Sequence, residues 1–256
     1  MARAVGSEAA AGLRLPVQGS SLLDRGRRGA KLLAEQLLPP SMVVWRGREG
    51  RSRPFSALQR ALFGGVTPVA TAGRVALTFD DGPTSLTPAY LDVLAELDVR
   101  ATFFLVGELC EAHPELVAAI AAQGHQLAGH GYTHRRFTTL SQAELADELE
   151  RTRLLLPPGD GTPELVRPPY GAVSLPSLAA CRRHGFTAVL WSLNSGDWRS
   201  REASQVERNM AQQVAAAGEI VLLHEGQPWT MKALPAIVGS LRQVGHELVT
   251  VGELLA

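Results

Sequence analysis

The sequence is short of most features that would assign a partner by composition. Lys+Arg and Asp+Glu balance at 25 each, so no excess of one sign selects nucleic acid or an anionic membrane surface, and a neutral polymer or small molecule fits better. No run approaches the roughly eighteen apolar residues that a membrane helix needs. Cysteine is scarce: Cys110 and Cys181 are the only two, both inside expected helices, and they read as buried free thiols. A secretory signal is not evident either. After Met1-Ala2-Arg3 the apolar stretch is broken by Gly6, Glu8, Gly12 and Arg14, so the expected location is the cytoplasm.

What is present divides the 256 residues in two. Residues 1–72 are rich in Gly, Ser and Arg, with basic clusters at Arg25-Gly26-Arg27-Arg28 and Arg46-Gly47-Arg48-Glu49-Gly50-Arg51. They read as a solvated, partly ordered extension, with a short helix over 31–38 stopped by Pro39-Pro40 and a short strand over 41–45. From Gly73 to the C-terminus the pattern alternates between strand and helix. Strands are expected near 74–80, 101–106, 126–129, 164–168, 187–193, 219–224 and 247–250. Helices are expected around Tyr90, Leu91, Leu94 and Leu97, from Pro114 to Gly124, from the Ser141-Gln142-Ala143-Glu144 capping box to Leu156, and near 174–184, 203–216 and 231–244. A loop is expected over 157–161. Seven strands alternating with helices predict a parallel sheet, either a distorted barrel or an open doubly wound sheet.

Chemistry-bearing residues gather at the ends of these strands. Arg74 to Phe79 makes a buried strand that runs into Asp80-Asp81-Gly82-Pro83. Adjacent carboxylates are costly on a core strand unless a cation or a proton-transfer task stabilises them. His130 and His134 stand four apart, a spacing that one helical turn or a tight loop can aim at one point. Arg167-Pro168-Pro169-Tyr170-Gly171 follows, then Asp197-Trp198, then Leu222-Leu223-His224 closing an apolar run.

In this order and spacing, the five segments resemble the polysaccharide deacetylases of carbohydrate esterase family four, over roughly Gly73 to the C-terminus. The resemblance implies a distorted barrel of about seven or eight strands and a metal-dependent hydrolase that removes acetyl groups from an N-acetylated carbohydrate, an N-acetylglucosamine oligomer or polymer. By the same resemblance Asp81, His130 and His134 hold one divalent metal ion; zinc is favoured, and cobalt, nickel, manganese or iron also suit the ligand set. Asp80 would be the catalytic base, Arg167 its ion-pair partner, and the peptide N–H of Tyr170 an oxyanion donor. His224 would be the general acid and Asp197 the group that keeps it charged. Trp198 and Leu222 would wall a pocket for the acetyl methyl, and Gly171 would let substrate approach. Two positions depart from the family pattern: Gly131 stands where Ser or Thr is usual, and Asn194 where aspartate is usual. The alternatives are an ester deacetylase acting on acetylated xylan and a catalytically weak glycan-binding relative. Oligomeric state is not legible. A cell-envelope substrate sits awkwardly with a cytoplasmic chain, so association with the envelope stays open.

Overall fold

The computed structural model describes residues 73–157, 164–213, 215 and 217–256. The helix expected over 31–38, the strand over 41–45 and positions 158–161 of the expected loop lie outside them. Strand β1 (Arg74–Gly82) is the strand on which the others converge. It pairs in parallel with β2 (Thr102–Leu105) over its carboxyl half. It pairs with β7 (Glu219–His224) over most of its length and with β8 (Glu247–Val249) at its start. Strands β3 (Gln126–Gly129), β4 (Leu165–Val166), β5 (Thr187–Ala188) and β6 (Leu193–Asn194) complete the eight-stranded parallel sheet, in the order β5-β4-β3-β2-β1-β7-β6.

Parallel strands covered on both faces read as continuous apolar runs, and Val75 through Phe79 have no exposed surface. Side chains alternate between two cores. Val75, Leu77 and Phe79 of β1, Phe103 and Leu105 of β2, and Val221 and Leu223 of β7 pack outward. They meet α1 (Thr87–Glu96), through Tyr90, Leu91 and Leu94, and α7 (Pro228–Gln243), through Ala233, Leu234, Ile237, Val238 and Leu241. Ala76, Phe104, Ala128, Leu165, Val189 and Ile220 form the inner cluster. Thr78 and Asp80 share the parity of Ala76, so β1 delivers a hydroxyl and then a carboxylate to the interior.

The remaining helices are α2 (Gly107–Ala112), α3 (Pro114–Ala122), α4 (Gln142–Leu155), α5 (Leu175–Arg183), α6 (Ala203–Ala211) and α8 (Val251–Leu255). The expected capping box is present: Ser141 caps the amide of Glu144 while the Glu144 side chain accepts from the Ser141 amide. Both cysteines are buried and free. No helix among the described residues is long and apolar enough to cross a membrane.

The structure corrects two expectations. The strand expected over 187–193 is two short pieces at opposite ends of the sheet order. Val189 N–H donates to Val166 O on β4 at 2.8 Å, and Ser192 N–H donates to Ile220 O on β7 at 3.0 Å. Leu190 and Trp191 therefore carry the chain from one end of the sheet to the other, which curls it into a distorted barrel and rules out the open doubly wound sheet. Helix α2 holds Cys110 inside a helix, as expected, although six residues that include Gly107 carry too little helical periodicity for its bounds to be read. The helix expected over 203–216 ends at Ala211.

Candidate active site

The carboxyl ends of β1, β3, β4 and β7 and the loops after them bring the chemistry-bearing residues together. Asp81 is the penultimate residue of β1, and its Oδ1 lies 3.1 Å from His134 Nε2 and 3.5 Å from His130 Nε2. One ligand atom from each of Asp81, His130 and His134 falls within 4.8 Å of the others. The histidines reach this point from a tight loop after β3, the second of the two geometries that their spacing allowed. His130 is buried, and its Nδ1 donates to Arg167 O at 2.7 Å, which leaves Nε2 as the ligand atom. Such outer hydrogen bonds fix the tautomer and ring plane of a metal-binding imidazole. Burial alone would raise the Asp81 carboxyl, but the hydrogen bonds of His130 and His134 hold it well below the ordinary carboxylate range. One carboxylate and two imidazoles, with their free lone pairs converging and Asp81 half-exposed, fit a divalent transition ion with an open position.

Asp80 faces the barrel interior one residue earlier. Its Oδ1 accepts from Arg167 Nη1 at 2.5 Å, while its Oδ2 lies 3.7 Å from His130 Nε2. Arg167 is fully buried. Its Nη1 also donates to Thr78 Oγ1 at 2.8 Å, and Nε and Nη2 reach Val189 O and Leu190 O at 3.3 Å. Burial lowers the pKa of this guanidinium and the charge of Asp80 opposes the shift. The guanidinium lies over the Phe104 ring at 3.9 Å. Its carbonyl partners belong to the segment that joins the two ends of the sheet, so this arginine satisfies backbone there while it holds Asp80.

On the neighbouring strand, His224 pairs in register with Asp80. The fully buried Asp197 accepts from His224 Nδ1 at 2.8 Å, His224 N–H at 2.7 Å, Trp198 N–H at 2.8 Å and Thr230 Oγ1 at 2.8 Å. Burial alone would lower the imidazole pKa. The hydrogen bond and charge of Asp197, with Asp80 and Asp81 beyond it, raise it to about 9.

Leu222 is buried on the inner face of β7, and Trp198 is about half exposed (48%) beside Asp197. The Tyr170 ring lies 4.7 Å from the His134 ring, under Arg136. Its N–H makes no hydrogen bond among the described residues, whereas those of Gly171 and Ala172 fold back onto Pro168 and Pro169. A Cβ at Gly171 would lie 2.8 Å from Trp191, so the close neighbour that demands glycine there is this indole. Asn194 is a turn former: its Oδ1 accepts from Gly196 N–H at 2.9 Å. His113, His125, His184 and His246 stand outside the cluster, as expected.

Sequence reasoning missed Thr78, Thr230 and Glu225. Thr78 shares its strand face with Asp80, a signal that was available. Glu225, buried beside His224, accepts from Thr84 N–H at 3.1 Å and from the hydroxyls of Thr84 and Thr87, and so fastens the loop after Asp81. Burial pushes its pKa up, and those hydrogen bonds oppose the shift.

Comparison with known proteins identifies the family. The family model for polysaccharide deacetylase matches residues 69–189. A chitooligosaccharide deacetylase from Bradyrhizobium is 34% identical over 201 residues, covering 70% of this chain and 90% of that protein. The chain belongs to the polysaccharide deacetylase family. Among solved members, the family 4 carbohydrate esterase from Streptomyces lividans, in complex with acetate, superposes with a TM-score of 0.64 at 34% identity, covering 71% of this chain and 93% of that one. A peptidoglycan-N-acetylglucosamine deacetylase from Listeria monocytogenes is 35% identical over 191 residues. That match takes in 74% of this chain but 40% of the Listeria protein, so the chain spans about two fifths of that relative's length.

Proposed function

We propose that this polysaccharide deacetylase is a metal-dependent hydrolase that removes acetyl groups from N-acetylglucosamine units of a glycan, with catalysis carried by residues 73–256. The observation that carries the reading is the convergence of Asp81, His130 and His134 beside two separate proton-handling pairs, Asp80–Arg167 and Asp197–His224. The names of the Listeria and Bradyrhizobium relatives support an N-acetylglucosamine substrate.

Asp81, His130 and His134 would hold one divalent ion, for which zinc is our assignment, and the ion would supply electrophilic activation of the acetyl carbonyl and of the attacking water. Asp80 accepts the proton of that water as it attacks, and Arg167 keeps the carboxylate ionised and turned toward the trio. The Tyr170 N–H, with no partner among the described residues, donates to the carbonyl oxygen as charge develops there. Trp198 and Leu222 wall the acetyl methyl. His224, charged through Asp197, delivers a proton to the departing nitrogen, because an amine anion is a very poor leaving group. This complete set argues against a relative that only binds glycans.

Acetate release from chitin oligomers, peptidoglycan fragments and acetylated xylan, before and after chelation, tests the reading. Release from the first two, lost on chelation and restored by Zn2+, is expected. Release confined to xylan would replace the amide reading with the ester one, and full activity in a verified metal-free sample would end the metal assignment. A chain beginning at Thr71 is expected to keep turnover.

A further inference from the structure

The buried face of helix α4 carries a charge that the reaction above does not use. Glu148 lies among Leu145, Leu149 and Thr152 with 5% of its surface exposed, and it forms no ion pair among the described residues. A buried carboxylate without a cation is costly unless hydrogen bonds replace its water. Here the donors come from the loop between His130 and His134. Oε2 accepts from Tyr132 N–H at 2.6 Å and Thr133 N–H at 2.9 Å, and Oε1 accepts from the Thr133 hydroxyl.

The backbone is bent to allow this. Gly131 and His134, on either side of the two donors, adopt left-handed φ values of 77° and 56°. Successive amides then aim at one point, the arrangement that cradles anions. A Cβ at position 131 would lie 3.2 Å from Glu148 Oε2 and 3.1 Å from Phe137 Cε1, so glycine leaves the carboxylate its room. The carbonyls of the same loop are also occupied: Gly131 O and Tyr132 O accept from the first amides of α2, Gly107 and Glu108, at 2.9 Å each. Helix α2 thus holds the loop by its acceptors, and Glu148 holds it by its donors.

We propose that Glu148 is a positioning residue for the metal site. Its carboxylate sets the bend of residues 131–133 and thereby the convergence of His130 and His134 on Asp81, with no contact to metal or substrate. The inference rests on reading that trio as the metal ligands. The alternative is a residue that only satisfies buried amides and contributes stability.

The test compares Glu148→Gln with Leu145→Ala, which removes packing from the same buried helix face and takes no hydrogen bond from the loop. Gln keeps the shape, but one acceptor oxygen becomes an NH2 that faces donors. Three quantities are measured on the full chain: Zn2+ affinity by chelator competition, the visible absorption of the Co2+-loaded protein, and the melting midpoint without metal. We expect Glu148→Gln to weaken Zn2+ binding by roughly ten- to a hundredfold and to change the cobalt spectrum. Leu145→Ala should lower the melting midpoint and leave both metal readouts unchanged. Equal metal affinity and spectrum in Glu148→Gln and the unaltered protein overturn the proposal, as does equal weakening in both variants. If Glu148→Gln does not fold, Thr133→Val decides, since it removes one donor and keeps both amide bonds; a several-fold loss of affinity supports the proposal, and none overturns it. Absence of Zn2+ binding by the unaltered protein refutes the trio itself, and this inference with it.

Discussion

The two sides of the site are built in opposite ways. Asp80–Arg167 and Asp197–His224 stand on paired parallel strands or directly against them. Asp80, Arg167 and Asp197 are buried, and the two carboxylates are held by residues on strand ends, next to them or at a helix start. The side proposed to hold the metal sits on the last residues of β1 and on loops. Asp81, His134 and the adjoining Tyr170 are three of the four non-glycine residues with positive φ among the described residues, at 70°, 56° and 61°. Conformations of this kind cost of order 1–3 kcal/mol each and persist only where the surroundings impose them. Here those surroundings include Glu148 and Glu225. On this proposal the proton-handling groups draw their precision from sheet register, and the metal ligands draw theirs from buried acids that fasten strained backbone.

The comparison can be broken most severely on the loop side. Asp81→Ala removes one ligand from an exposed edge, so turnover is expected to fall by roughly three orders of magnitude or more, as loss of several kcal/mol of charge stabilisation implies. Its melting midpoint without metal should fall by less than that of Arg167→Ala. A kinetic assay paired with thermal unfolding checks both halves of that statement. Arg167→Ala attacks the sheet side and should reverse the pattern: a buried carboxylate is left unpaired, costing about 3–5 kcal/mol of stability, measurable by denaturant unfolding.

Asp197→Asn sharpens the comparison through pH. The folded His224 pKa of about 9 lies above the ordinary 6.5, so the pair's stabilisation is fully present below about pH 6.5 and is lost as pH rises through about 9. The stability gap between the unaltered protein and the Asn variant should narrow over that window, and the alkaline limb of turnover should move to lower pH in the variant. A gap that widens toward pH 9 would contradict the assignment. The smallest effect is expected for Thr230→Val, which removes one of four hydrogen bonds to Asp197. A loss of about 1.5–3 kcal/mol follows for a bond to a charged acceptor, with metal binding intact.

The sheet side was the more legible in sequence. An apolar run that ends in Asp80, and another that ends in His224, announce buried strands with chemistry at their carboxyl ends. Those strands formed where expected, because burial on both faces leaves one periodicity available. The 187–193 segment was misread as one ladder, since sequence does not say that a strand changes partners midway. The loop side was legible as residue types and not as geometry: His130 and His134 name a ligand pair, but their spacing suits a helical turn as well as the loop found. Glu148 could not be identified, because a lone glutamate on an amphipathic helix normally faces solvent. Only the fold shows that its helix position, beside Leu145 and Leu149, is inward.

The separation of the two sides is tested most directly by His224→Ala, assayed for metal content and for turnover on an N-acetyl substrate against an activated aryl acetate. The account predicts full metal content, a loss of roughly a hundred- to ten-thousandfold on the amide, and a much smaller loss on the aryl ester, whose leaving group needs little protonation. Near-normal amide turnover in the folded, metal-loaded variant, or equal losses on both substrates, would contradict it.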